Sequence, residues 1–153
     1  MLQTLLFFTQ GIPECTGLLA CTLALVRVEI RWKIVITTAV VFTGIIYIIR
    51  NLPVTFGLHT VVAILIYAVF ISKATRVPPS ISFMAVFITV AVLLFVEARI
   101  SELFRALLSN EITIMLSAYS LWQLTGLPQG ILLIAGAILI SKYRKPVDDM
   151  WRI

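Results

Sequence analysis

Long apolar runs, separated by short clusters that hold most of the charge, constrain this chain more than any other feature. The runs are Leu2–Val26, Ile34–Ile49, His59–Ser72, Ile81–Val96 and Gln129–Ser141. Crossing a bilayer core takes about 20 helical residues. An open strand cannot satisfy its backbone in hydrocarbon, so β-branched runs such as Ile34–Ile49 are read as helices too. Of the 153 residues, 61% are apolar and 12% charged. A soluble domain is about 45–50% apolar and about 25% charged. The mean hydropathy of +1.09 agrees. The expected fold is all-α: a polytopic membrane bundle with five transmembrane helices plus an amphipathic or re-entrant helix. A sixth span follows if Ile112–Gly126 also crosses. Residues 1–145 form the bundle and residues 146–153 a short cytoplasmic tail.

The net charge of +5 does not point to nucleic acid. The cations sit singly or in small groups at the ends of apolar runs, with no basic face. Charge placement sets the topology instead. With five spans, nine of the twelve basic residues fall on one side: Arg27, Arg31, Lys33, Lys73, Arg76, Lys142, Arg144, Lys145 and Arg152. Arg50, Arg99 and Arg105 fall on the other. With six spans the best split is seven to five, so five are preferred. The N-terminus is then outside and the C-terminus cytoplasmic, in a multi-pass cell-membrane protein of bacterial plasma-membrane type. No basic stretch precedes the first run, and that run is longer than a signal peptide.

Arg50–Thr60 (R-N-L-P-V-T-F-G-L-H-T) is the central connection. Pro53 ends the second helix, because the residue before a proline avoids helical geometry. Gly57 permits a close approach. His59, the one histidine in the chain, is a candidate sensor of protons or ligand, or else a neutral, hydrogen-bonded residue at a helix start. Pro13 should kink the first helix. Glu14 follows it, an acid halfway along an apolar run. It faces the bundle interior or a wet cavity, or it lies in the first turn of a helix beginning near Pro13. Pro78-Pro79 forms a rigid turn with Ser80 as a helix cap. The phenylalanines from Phe83 to Phe95 face lipid or pack. From Glu97 to Glu111, charges interleave with apolar residues at three- and four-residue spacing, the mark of an amphipathic helix. Gly126-Leu127-Pro128 breaks the helix before the last run. The candidate sensing residues are Glu14, Arg50, His59, Glu97 and Arg99, gathered in an external vestibule.

Glycine-loop, zinc-protease and nucleophile–base motifs are lacking. Cys15 and Cys21, six apart, lie on different helix faces and read as small buried residues rather than a disulfide. No enzyme, cofactor or metal site is expected.

The loop R-N-L-P-V-T-F-G-L-H-T, then K-A-T-R-V-P-P-S, then L-T-G-L-P-Q-G before the last run, resembles a known pattern. It is similar to the N-terminal membrane sensor region of Firmicute peptide-quorum-sensing and sporulation-type sensor histidine kinases. Arg50, Pro53, Phe56, Gly57 and His59 match the recurring loop, and Pro128 and Gln129 the later turn. The resemblance implies a polytopic bundle that receives an extracellular signal. The departure is that no kinase domain, phosphoacceptor or ATP-binding motif follows. What is implied is a non-enzymatic receptor or regulatory subunit, with a separate kinase or transporter component as membrane or cytoplasmic partner. The alternative is a small transporter or channel subunit acting as a homo-oligomer, with Glu14 and His59 lining a path.

Overall fold

The computed structural model describes residues 1–53, 55, 57–108 and 118–153, with backbone alone over residues 118–125. Phe56 and Glu111 therefore lie outside the described residues, as does the first half of Ile112–Gly126. Five α-helices account for most of the rest: α1 Leu2–Leu25, α2 Trp32–Asn51, α3 Leu58–Ala74, α4 Pro79–Leu107 and α5 Ala118–Tyr143. No strand occurs among the described residues, only two isolated bridges, Val28 with Val147 and Thr75 with Trp151.

α1 is the central helix. It packs most extensively on α5 and also touches α2 and α4. From Cys15 to Ala24 every residue is buried, so this half is enclosed on all sides. Glycines let the neighbours come close. A Cβ on Gly17 would sit 2.6 Å from Leu133 Cβ and 3.1 Å from the Gly130 carbonyl oxygen. One on Gly130 would meet Pro13 Cβ at 3.0 Å. Small residues at such seams are a usual way for helices to associate in lipid, where there is no hydrophobic drive between them. Polar cross-links add to the packing. The Cys21 thiol donates to the Leu133 carbonyl at 3.0 Å, and Thr22 donates to Thr89 of α4 at 3.2 Å. Large apolar side chains on α2, α4 and α5, such as Val41, Phe87, Phe95 and Ile131, are more than half exposed. The phenylalanines at 83, 87 and 95 are all exposed on this outer surface.

Several expectations are corrected. Among the described residues three helices, not five or six, are long and apolar enough to cross a membrane: α2, α4 and the Gly126–Tyr143 part of α5. α1 falls short because Gln10, Glu14 and several threonines lower its hydropathy; of these Gln10, Thr16 and Thr22 are buried. α3 falls short because it has only 17 residues. Glu97–Leu107 is not a separate amphipathic helix but the continuation of α4. Its 29 residues reach about 43 Å at 1.5 Å per residue, beyond a core of about 30 Å. Pro128 does not break the last run, since it lies inside α5. Pro13 likewise lies inside a continuous α1, which removes the reading of a helix beginning there. Ser80 is not the cap of α4: Pro78 holds that place, extended at φ −59° and ψ 146°, and Pro79 is the first helical residue, a position that wastes no hydrogen bond.

The helices run up and down between two ends. One end gathers the α1–α2 and α3–α4 connections and residues 144–153. There Val147 N–H donates to the Arg27 carbonyl at 2.8 Å, Arg76 N–H to Met150 at 2.8 Å and Arg152 N–H to Ala74 at 2.8 Å. The indole of Trp151, 7% exposed, donates to the Glu29 carbonyl at 2.8 Å, and Arg31 lies 5.6 Å over its ring. The nine basic residues assigned above to one side all sit at this end. The tail is tied down as a strap across both connections.

Candidate functional site

The opposite end of the bundle holds a cavity of about 440 Å³. Each of four helices brings a carboxyl, guanidinium or imidazole group to its wall: Glu14 from α1, Arg50 from α2, His59 from α3 and Glu97 from α4. Their local settings explain how they come together. α2 ends at Asn51, and Leu52, just before Pro53, is extended at ψ 148°. This leaves Arg50 in the last turn, exposed at the mouth. Its guanidinium lies 5.8 Å over the Phe7 ring. Gly57 caps α3 with φ +91°, a left-handed conformation that a side chain resists. A Cβ there would meet nothing within 4 Å, so the glycine serves the turn and not a close approach. Its carbonyl accepts the Thr60 and Val61 N–H groups, which sets His59 in the first turn, half-buried.

Glu14 is half-buried, one turn below Gln10 on the same face of α1. It lies within electrostatic reach of Glu97 and Arg50. Deeper in, the wall is made by Cys15, Leu18, Thr43, Tyr67, Val90 and Leu93. From Arg50 to Thr43, or from Gly57 to Tyr67, the helical rise makes the pocket about 10–15 Å deep. Phe42 holds Tyr67 edge-on at 4.8 Å between ring centroids. The wall is thus apolar with a few convergent polar groups, the usual make-up of a small-molecule site.

Of the five residues picked out as sensing, four line this cavity and Arg99 does not. Its guanidinium pairs with Glu102 at 3.2 Å on the exposed surface and lies 5.2 Å over Phe95. Polar residues that the chain's pattern did not single out also form the wall, among them Gln10, Thr43 and Tyr67. Gln10 is 3% exposed and Tyr67 2% exposed. The Gln10 Oε1 and Tyr67 hydroxyl find no hydrogen-bond partner among the described residues. Gly126 makes room for Gln10, since a Cβ there would fall 2.0 Å from the Gln10 Nε2. The only hint of this in the chain is the Gly126-x-x-x-Gly130 spacing, a known mark of close helix pairs. Among the described residues no group of three or more His, Cys, Asp or Glu is placed to hold a metal ion.

Set against protein-family models, curated proteins and solved structures, the chain matches none of them.

Proposed function

We propose that the chain is a non-enzymatic membrane sensor module. It takes up a ligand in the cavity from outside the cell and acts, through helix movement, on a separate partner at its cationic end. One observation carries this: a cavity of about 440 Å³ to which four helices each contribute an ionisable residue. A ligand touching all four can change their spacing. The nine basic residues at the far end favour the cytoplasmic side for that end under the positive-inside rule. The strap of residues 144–153 joins α5 to both connections there, so motion of α5 against α1 has a place to be read. On the resemblance of the Arg50–Thr60 loop to sensor-kinase membrane regions, the proposed partner is a kinase supplied by another chain.

A second reading is a small transporter or channel subunit working as an oligomer. The half-buried Glu14, midway along α1 and inside the cavity, favours it. Purified protein in nanodiscs and in proteoliposomes separates the two. The test uses a panel of amines, amino acids, carboxylates and short peptides. Spin labels at Lys73 and Lys145 report on the cationic end. The sensor reading predicts saturable binding, a changed label distance and no solute flux. Flux that disappears in Glu14→Gln would establish the transporter instead.

A further inference from the structure

We infer that the cavity selects an organic cation that bears N–H donors, a primary ammonium joined to an apolar body, with Glu14 and Glu97 as its counter-charges. The inference rests on the reading of the cavity as a ligand site and adds the ligand's chemistry.

The charges on the wall give the sign. Two carboxylates, Glu14 and Glu97, face one guanidinium, Arg50. Among the charged side chains of the described wall, carboxyl groups thus outnumber guanidinium groups by two to one. Both carboxylates are half-buried, and Arg99, the nearest further cation along α4, is engaged with Glu102 outside. Ionisable groups at such depth are costly and usually face a partner or a wet cavity. A cation between the two carboxylates relieves their repulsion. An anion would meet both of them and gain only Arg50.

The hydrogen-bonding groups give the type of cation. The Gln10 Oε1 can only accept, and it lacks a donor among the described residues. The Tyr67 hydroxyl, equally unpartnered, can accept as well. Buried acceptors left without donors are unfavourable. A primary ammonium brings three N–H groups to two carboxylates and these acceptors, whereas a quaternary ammonium brings none. Phe7, Leu18, Leu93 and Leu94 supply the surface for the apolar part.

Four probes of one body test this by calorimetry in protein-loaded nanodiscs, with empty nanodiscs as the blank: phenethylammonium, phenethyl-trimethylammonium, 2-phenylethanol and 3-phenylpropionate. The expected result is saturable binding of phenethylammonium, roughly tenfold or more tighter than the other three. Glu14→Gln and Glu97→Gln should each weaken it by about tenfold or more, while Glu102→Gln, outside the cavity, should leave it unchanged. Each variant's fold is checked by its helical circular dichroism and melting temperature. Equal binding by all four probes, or binding untouched in both cavity variants, overturns the inference. Preference for 3-phenylpropionate overturns it too, but leaves a ligand-binding sensor standing. Binding by none of the four also overturns it, and the sensor reading is then decided by the flux and label-distance experiment.

Discussion

Glu97 and Arg99 stand two residues apart on one helix, and only the first belongs to the cavity. Successive residues turn by about 100°, so the two side chains leave α4 about 200° apart. Chain proximity suggested both, and helical geometry admits one. Glu14, Arg50, His59 and Glu97 were legible for a related reason. They are charged or titratable residues in or beside apolar runs, and counting alternating runs puts their ends together. Gln10, Thr43 and Tyr67 were not legible, because a polar residue within an apolar run does not announce which neighbour it faces. The glycines make the same point in energetic form. Gly17→Ala places a Cβ 2.6 Å from Leu133 Cβ and against the backbone of Gly130, so α1 and α5 must separate, at a cost of about 1–3 kcal/mol. Gly44→Ala meets nothing within 4 Å and should stabilise α2 by about 0.5–1 kcal/mol, the usual helical gain of alanine over glycine. Gly57→Ala, at φ +91°, should cost about 1 kcal/mol. Thermal unfolding in detergent, compared across these three variants, checks the signs.

Among the helices, those with uniform apolar faces were legible, and the ones that carry the site were harder to delimit. The apolar run of α4 stops at Val96, but Glu, Ala, Arg and Leu are good helix formers, and the helix continues to Leu107. Hydropathy reports solvent, not backbone geometry. Pro128 misleads in the opposite way. A proline removes one hydrogen bond, yet packed neighbours can hold the helix through it, and α5 has α1 against it at Gly130. The strap of residues 144–153 could not be read from the chain at all, since the bonds that tie it to the two connections join groups 74 to 122 residues apart. It makes a firm prediction. Trp151→Ala removes a buried ring, its bond to the Glu29 carbonyl and the contact with Arg31, at a cost of about 3–5 kcal/mol. Hydrogen exchange should show faster exchange at the amides of Arg76, Val147 and Arg152, which the strap now holds, with little change at Thr60 and Val61 at the opposite end. Equal exchange at both ends would mean the strap is not a local unit.

The whole molecule divides into two ends: nine cations and a tied-down strap at one, an acid-lined cavity at the other. Simultaneous replacement of Arg27, Arg31 and Lys33 by Gln weakens the charge bias that orients the chain and should give a mixed population of orientations in cells. The sidedness itself can be measured with single cysteines at two exposed positions, Thr55→Cys beside the cavity and Lys73→Cys beside the strap, the buried Cys15 and Cys21 being replaced by serine. A membrane-impermeant maleimide is added to intact cells and then to inverted vesicles. The account predicts that Thr55→Cys reacts only in cells and Lys73→Cys only in inverted vesicles. Reaction of both from the same side would contradict a bundle that opens its cavity outward and turns its cations to the cytosol.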